Sequence, residues 1–252
     1  MINFKLERLS IDLSNYCSKG CDFCYNGSSN KGSVMWQSEE VIKMAVDCSQ
    51  NGVKAISLGG GEPFEYNGVF DIISKLTPHM FVSVTSNGLP LVNDTAFKSL
   101  IKNKPDKIHL TIHHPDNDSE VNESLHLLKA ISKHHIKTGI NMLIADDKLI
   151  EAERLTQRLY KQGYTSQNII FVPRKFEHCP KPEQVAKVAA NPYFQSASCL
   201  SGCSISYRFC SLSWDKKINF CSYSPSKVFL LEQSFEGIIK ALNKIKFKTC
   251  LS

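Results

Sequence analysis

The stretch Cys17-Ser18-Lys19-Gly20-Cys21-Asp22-Phe23-Cys24 carries three cysteines at Cys-x3-Cys-x2-Cys spacing, directly after a short apolar segment. Thiolates are the ligands that hold iron–sulfur clusters, and a [4Fe–4S] cluster has four irons to coordinate. Three protein thiolates leave one iron open to a small molecule, in the same way that a catalytic metal keeps an open position. The spacing therefore predicts a catalytic iron–sulfur cluster held by Cys17, Cys21 and Cys24.

Two alternatives for these cysteines stay open on spacing alone. Closely spaced cysteines of intracellular proteins also bind structural zinc, which needs four ligands, and Cys48 or His79 would then supply the fourth. A disulfide is the other alternative, but charged residues interrupt residues 1–13 and nothing there resembles a signal peptide.

Size and composition predict one sizeable domain with at most a small appendage, because the chain has 252 residues of which 42% are hydrophobic. The net charge is +6, but the lysines are spread out and no basic block with interleaved aromatic residues argues for nucleic-acid binding. No segment approaches the roughly 18 apolar residues of a membrane span. Ten cysteines in a chain without a signal peptide favour a cytoplasmic protein that binds a metal or cofactor.

Short apolar segments alternate with amphipathic segments up to about residue 175. The apolar segments predict six strands, at residues 9–13, 54–58, 80–85, 107–113, 138–144 and 168–173. The amphipathic segments predict helices that begin near residue 38 and then span residues 69–76, 94–102, 121–131 and 149–159. This alternation is typical of a parallel α/β sheet, in which ligands bind at the carboxyl ends of the strands.

Two further motifs follow predicted strands, namely Gly60-Gly61-Glu62-Pro63 after the second and Thr85-Ser86-Asn87-Gly88 after the third. Together with the cysteine stretch and in this order, they resemble the radical S-adenosylmethionine (radical SAM) superfamily over about residues 5–175. The resemblance implies an α/β fold with a partial (β/α)6 TIM-like barrel, which we assign to residues 1–176.

The resemblance also implies two cofactors, a [4Fe–4S] cluster on the three cysteines and SAM on the fourth iron. Glycines let a backbone approach a ligand closely, and Glu62 would either pin the glycine turn or neutralise the ammonium group of SAM. The cofactor-binding residues implied in this way are Phe23, Gly60, Gly61, Glu62, Pro63, Ser86, Asn87, Thr111, Asn141 and Val172. His113 is a weak candidate for proton transfer near the substrate, and the catalytic residues are otherwise unknown.

The family chemistry implied is reductive cleavage of SAM to a 5′-deoxyadenosyl radical, which then abstracts hydrogen from the substrate. The protein would orient the substrate and exclude water, because the cofactor carries the hard step. A reductant such as flavodoxin or ferredoxin is implied as a partner.

After residue 176 the composition changes, and Pro180, Pro182 and Pro192 interrupt the chain. Four cysteines stand in the pattern Cys199-x3-Cys203-x6-Cys210-x10-Cys221. The segment between the last two predicts a hairpin that turns at residues 215–217, and an amphipathic helix with Ser234 as its N-cap closes the chain.

Residues 177–252 resemble the SPASM/twitch extensions that hold auxiliary clusters in many peptide-modifying radical SAM enzymes. This resemblance implies one auxiliary [4Fe–4S] cluster on Cys199, Cys203, Cys210 and Cys221. The turn lacks the usual glycine and few cysteines follow Cys221, so structural zinc and free buried cysteines stay as alternatives.

Three functions follow from these features. The leading one is a radical SAM enzyme that modifies a peptide or protein. The second is a radical SAM enzyme that acts on a small molecule such as a sugar, nucleoside or cofactor precursor, which the short extension favours. The third is a non-catalytic iron–sulfur electron carrier, which would not need the Gly60–Pro63 turn.

Overall fold

The computed structural model of the chain describes residues 5–190, 206–246 and 248, which form two compact units. The described part of the first unit comprises residues 5–107, 206–246 and 248, and that of the second comprises residues 108–190. None of the helices in these stretches is both long and apolar enough to cross a membrane. The predicted division of the chain after residue 176 stays a prediction.

The strands and helices alternate along the chain, as predicted. The strands are β1 (Arg8–Asp12), β2 (Ala55–Gly59), β3 (Phe81–Ser86), β4 (Lys107–Ile112), β5 (Lys137–Ile144), β6 (Ile169–Pro173), β7 (Phe209–Leu212), β8 (Lys217–Asn219) and β9 (Val228–Phe229). The α-helices are α1 (Ser38–Gln50), α2 (Val69–Leu76), α3 (Asp94–Lys102), α4 (Asp118–Ser132), α5 (Leu149–Lys161), α6 (Pro182–Ala189) and α7 (Phe235–Leu242).

The first unit contains an open sheet in the order β3-β2-β1-β7-β8-β9. Strands β1, β2, β3 and β7 are parallel, whereas β8 and β9 are antiparallel to their neighbours. The predicted hairpin is confirmed as β7 and β8, with Leu212 opposite Ile218. Because β7 pairs with β1, the cysteine-rich extension continues the core sheet.

The two faces of this sheet differ in polarity. On one face Leu9 lies beside Ile56 and Cys210, and these side chains are almost fully buried. On the other face Ser10 lies beside Ser57 and Ser211, and Ser57 lies beside Ser83. Side chains alternate between faces along a strand, so Asp12 and its partner Gly59 share the second face. We call this face, defined by Ser10, Ser57, Ser83 and Ser211, the serine face.

Within the first unit, hydrogen bonds outside the sheet also hold the extension against α1 and the segment before it. The indole of Trp36, just before α1, is buried and donates a hydrogen bond to the carbonyl of Ser213 at 3.0 Å. The predicted N-cap is confirmed, because the Ser234 hydroxyl accepts a hydrogen bond from the Gly237 N–H at 3.0 Å. Asp47 of α1 accepts a second one from the Phe235 N–H at 2.6 Å. The start of α7 is therefore held against α1.

The second unit contains strands β6, β5 and β4 in that order, with helices α4, α5 and α6. Its core consists of strand residues such as Ile140, Met142 and Phe171, which are fully buried. Helix α6 was not predicted, because Pro182 suggested a break. Proline is tolerated at the first helical position, where its missing N–H would have no partner, and Pro182 occupies that position.

Candidate active site

The cysteine loop, which we define as residues 13–33, follows β1 and folds back on itself. The Cys17 N–H donates to the carbonyl of Ser29 at 2.9 Å, and the Cys24 N–H donates to the carbonyl of Cys21 at 3.2 Å. Cys17 is buried, whereas Cys21 and Cys24 are half-buried. Burial raises the pKa of the Cys17 thiol, and hydrogen bonds from the backbone N–H groups of Lys19 and Gly20 oppose this shift. Such N–H groups stabilise a thiolate, the form that binds iron.

The spacing of the thiols bears on which metal group they fit. Within the described stretches of the chain, only Asp146, Asp147 and His178 place three metal-binding atoms within 4.8 Å of one another. A single tetrahedral zinc ion with Zn–S bonds of about 2.3 Å would hold its sulfurs about 3.8 Å apart. Because a cluster takes each thiolate on a different iron, it holds them farther apart. Three thiols on one loop fit a cluster with one open iron, whereas a structural zinc site would need a fourth ligand.

The Gly60–Pro63 turn lies directly against the backbone that leads into Cys17. The Gly61 N–H donates to the carbonyl of Ser14 at 2.7 Å, and the Glu62 N–H donates to the carbonyl of Tyr16 at 2.9 Å. A Cβ atom on Gly61 would lie 1.9 Å from that Tyr16 oxygen. Gly60 has φ of +117°, in the left-handed region that glycine favours. The described contacts of these glycines are therefore with the cysteine loop.

The buried carboxylate of Glu62 joins the turn to the end of β3. One oxygen accepts hydrogen bonds from the Phe64 N–H at 3.0 Å and the Ser86 hydroxyl at 2.8 Å. The other oxygen accepts one from the Asn87 N–H at 2.8 Å. Burial raises the pKa of Glu62 to about 7, and these three hydrogen bonds oppose the shift. Of the two predicted roles of Glu62, the geometry supports the one that pins the turn.

Asn87 connects the end of β3 with the cysteine loop. Its side-chain N–H donates to the sulfur of Cys17 at 3.5 Å, and its side-chain oxygen accepts from the Leu89 N–H at 2.8 Å. The Ser86 hydroxyl donates to Glu62 and accepts from the Gly88 N–H at 2.9 Å, so it is used within the network. The structure thus brings the three predicted motifs together, and their contacts with SAM stay predictions.

Four further residues were predicted to bind the cofactor. Phe23 is half-buried on the cysteine loop, and Thr111, Asn141 and Val172 are half-buried on the strands of the second unit. The side-chain oxygen of Asn141 lies 2.9 Å from Nδ1 of His109.

His113 follows β4, and the Glu120 carboxylate accepts a hydrogen bond from its N–H at 2.7 Å. The same carboxylate oxygen lies 3.3 Å from Nδ1 of the His113 ring. The described contacts of His113 are therefore structural, and its role in proton transfer stays a prediction.

The cysteines of the extension have different surroundings. Cys199 and Cys203 lie outside the described residues. Cys210 is fully buried on the apolar face of the sheet, and burial raises its pKa well above the usual value, with a smaller effect from nearby Cys48 on α1. Cys221 is half-buried. Its charge makes a small contribution to the raised pKa of Tyr25, which indicates that the two residues are in the same region.

Sequence reasoning missed Asp12, the last residue of β1. Its side chain is 3% exposed, and its Oδ2 atom has no hydrogen-bond partner within the part of the chain that the structure describes. Burial raises its pKa to about 6, nearby Lys227 lowers the pKa and Asp215 raises it. The alternation of Ser10 and Asp12 with apolar residues, ending at the cysteine loop, was the signal that could have identified it.

The family is decided by a sequence match that spans most of the chain. The sequence model of the Radical SAM superfamily matches residues 11–170. The chain belongs to the radical SAM superfamily. This family implies a [4Fe–4S] cluster and SAM, and the cysteine loop described above offers a donor set that fits such a cluster. Membership also confirms that the chain is an enzyme of this class.

Curated relatives match only part of the chain. A probable GTP 3′,8-cyclase of Methanocella arvoryzae is 33% identical over 115 residues, which cover 45% of this chain and 36% of that protein. A GTP 3′,8-cyclase of Clostridium perfringens is 22% identical over 157 residues, covering 57% and 48% respectively. The chain therefore matches less than half the length of these relatives.

Solved structures match the fold over most of this chain. Streptococcus suis SuiB bound to SAM has a TM-score of 0.66 at 14% identity, covering 87% of this chain and 61% of that one. The enzyme anSMEcpe with bound SAM and the Cp18Cys peptide has a TM-score of 0.65 at 14% identity, covering 94% and 82%. These matches confirm the predicted α/β fold with an open parallel sheet.

We expect Gly61→Ala to disrupt the cysteine loop, because its Cβ would overlap the Tyr16 carbonyl. Iron content after anaerobic reconstitution should fall severalfold. Gly59→Ala is the matched control, since its Cβ would meet only Asp12 Oδ1 at an ordinary 3.7 Å. Iron content equal to wild type in the Gly61 variant would contradict the described packing.

The orphaned carboxylate of Asp12 should make stability depend on pH. Its pKa is about 6 in the folded protein against 3.8 as the ordinary value, so the folded wild type loses stability as pH rises through this window. We expect Asp12→Asn of the apo protein to match wild type near pH 4 and to exceed it by about 3 kcal/mol at pH 8.

The measurement for this prediction is the free energy of unfolding by denaturant at several pH values, compared between variants. Asp71→Asn on α2 is the control, because it makes the same substitution at an exposed carboxylate. A flat difference for Asp12→Asn would show that the Asp12 carboxylate finds a partner in solution.

Proposed function

We propose that this enzyme binds a catalytic [4Fe–4S] cluster through Cys17, Cys21 and Cys24 and holds SAM beside it at the Gly60–Pro63 turn. The observation that carries this proposal is the buried Glu62 network, which joins the turn to Ser86 and Asn87. Asn87 in turn donates to the Cys17 sulfur. One connected set of hydrogen bonds therefore controls both the ligand loop and the proposed cofactor turn.

When bound, the reduced cluster and SAM supply a 5′-deoxyadenosyl radical that abstracts hydrogen from the substrate. The residues of this chain hold these groups in place and keep water away. The Asn87 N–H and the N–H groups of Lys19 and Gly20 reduce the negative charge on the Cys17 sulfur. Hydrogen bonds to the sulfurs of a cluster raise its reduction potential, so these donors would help to set the potential.

A peptide or protein is the substrate class that we propose first. Streptococcus suis SuiB bound to its precursor peptide SuiA has a TM-score of 0.66 and covers 86% of this chain. Because the anSMEcpe match covers 94% of the chain, the common architecture reaches into the C-terminal extension. At 14% identity this likeness concerns the fold, and it supports the proposal only as architecture able to accommodate a peptide.

A small molecule is the second candidate, and a nucleotide is its most specific form. The observation that favours it is that curated relatives similar in sequence are named GTP 3′,8-cyclase or probable GTP 3′,8-cyclase. One experiment distinguishes the two candidates: anaerobic turnover with GTP or with peptides encoded near the gene. A new product identified by mass spectrometry from one of these assigns the class.

An auxiliary [4Fe–4S] cluster in the extension remains part of the proposal, with Cys221 as its best-placed described cysteine. Cys221 lies near Tyr25, the residue after Cys24. Cys210 is buried on the opposite, apolar face beside Cys48. We infer that Cys210 packs the core and that the cluster draws its other ligands from elsewhere in the extension.

Replacing Cys17, Cys21 or Cys24 with Ala should abolish SAM cleavage, because each loss removes one of three ligands to the proposed cluster. The measurement is 5′-deoxyadenosine formed with dithionite under anaerobic conditions, alongside iron content. Cys179→Ser is the control for SAM cleavage, since this half-buried thiol lies outside the cysteine loop and makes a weak contact with the Pro180 carbonyl at 3.8 Å. Cleavage by any of the three Ala variants at the wild-type rate would refute the assignment.

The auxiliary cluster predicts about eight irons per reconstituted chain, four for each cluster. Cys221→Ala should lower this by about four, while Cys210→Ala should keep the iron and lose about 1 kcal/mol of stability to the missing buried atom. About four irons in the wild-type protein would argue against an auxiliary cluster.

A further inference from the structure

The candidate site described above leaves the buried carboxylate of Asp12 without a role. Asp12 is the last residue of β1, and the cysteine loop begins immediately after this strand. Its Oδ2 atom is buried and has no hydrogen-bond partner among the described residues. An unpaired buried carboxylate oxygen is costly, since it has lost its water without gaining a donor. Such a group is well explained when a bound ligand supplies the missing donor.

The surface around Asp12 is polar and built from small residues. Ser10 shares its face two residues earlier on β1, and Ser57 and Ser83 continue the row across β2 and β3. Gly59 is the register partner of Asp12 on β2, and a Cβ there would lie 3.7 Å from Asp12 Oδ1. No side chain from this neighbouring position covers the carboxylate. The serine face therefore presents small side chains on the strands next to Asp12.

Two tyrosines place this carboxylate near the cysteine loop and the extension. The negative charge of Asp12 is the largest cause that raises the pKa of Tyr25 well above its usual value, so Tyr25 lies within electrostatic range of Asp12. Tyr25 directly follows Cys24, and its ring lies 4.6 Å from the ring of Tyr223 in the extension. Tyr25 nevertheless keeps 40% of its surface exposed, so one side of the pair is open to a ligand.

The charged groups near Asp12 do not supply the missing donor. Lys227 lowers the pKa of Asp12 through its charge alone, and Asp215 raises it. Asp215 is itself paired with Lys217 at 2.6 Å and accepts from the Ser213 hydroxyl at 2.6 Å.

We propose that Asp12, with the serine face below it and the Tyr25–Tyr223 pair beside it, is a substrate-binding residue that accepts a hydrogen bond from a nitrogen donor of the substrate. This inference rests on the proposed function and deepens it. A carboxylate selects N–H donors, and aromatic rings next to it favour a planar or cationic nitrogen group. A guanine base and an arginine side chain both present such a group, so the chemistry is shared by the nucleotide and peptide candidates.

The test is a double-mutant cycle between Asp12 and the donor of a probe, in the reconstituted holoenzyme with SAM. The nucleotide arm compares GTP with inosine triphosphate, which lacks the exocyclic amine. The peptide arm compares acetyl-Gly-Arg-Gly-amide with the same peptide carrying norleucine. Binding is measured by calorimetry for wild type, Asp12→Asn and the exposed control Asp71→Asn. Asp12→Ala serves as a second variant, and iron content checks the folding of each protein.

In one arm, removing the nitrogen donor should weaken binding to wild type and to Asp71→Asn roughly 10- to 100-fold, the range of a hydrogen bond to a charged group. The same removal should change binding to Asp12→Asn less than about threefold, because the partner is gone. The arm that responds identifies the source of the nitrogen. Equal sensitivity of wild type and Asp12→Asn, or no binding of either donor probe to wild type, overturns the proposal.

Failure of the proposed function gives a different result. Wild-type enzyme that forms no 5′-deoxyadenosine from SAM and dithionite refutes radical formation, whatever the probes show. Enzyme that forms it while the cycle shows no coupling keeps the proposed function and removes Asp12 from substrate binding.

Discussion

The site depends on the buried carboxylate of Glu62, which accepts hydrogen bonds from three donors in two separate segments. It accepts from Phe64 within its own turn, and from Ser86 and Asn87 at the end of β3. A buried carboxylate without such partners would be strongly unfavourable, so the two segments hold each other in place. Asn87 in turn helps to position Cys17, because its side-chain N–H donates a hydrogen bond to the Cys17 sulfur. The backbone of the turn meets residues 14–16 at the same point, where only glycine fits. The cysteine loop is therefore positioned from two sides.

Much of the fold could be predicted because local patterns and tertiary structure agree. Helices α2 and α3 have the predicted bounds, since each has a continuous apolar stripe and a clear end. The three motifs could be placed on one edge because parallel strands end at the same side of a sheet. Helix α6 was missed, since proline at a first helical position is indistinguishable from a break in a single sequence. The pairing of β7 with β1 was also missed, because a contact between residues about 200 positions apart leaves no local pattern.

The roles of individual side chains were harder to predict than their positions. Sequence alone allowed Glu62 to pin the turn or to meet SAM, and only its contacts favour pinning. Cys210 and Cys221 stand at the two ends of the same hairpin, yet Cys210 is fully buried near Cys48 whereas Cys221 is half-buried, a difference that depends on tertiary packing. Asp12 was missed although its alternation with apolar residues placed it on the polar face, since a charged residue at a strand end is usually exposed and burial is a tertiary property.

The two-faced sheet explains how an extension can add specificity without changing the radical chemistry. Helices α1 and α7 pack together, and Trp36 fastens the loop before α1 to the carbonyl of Ser213. The extension therefore adds to the same sheet that presents Asp12, and it brings Tyr223 to Tyr25 beside the cysteine loop. In the proposed reaction, radical formation would use the loop, the turn and the end of β3, which the core supplies. Recognition of a substrate can then vary through residues of the serine face and the extension, while the Glu62 network stays unchanged. This separation is consistent with a family whose members share the core and differ in what they modify.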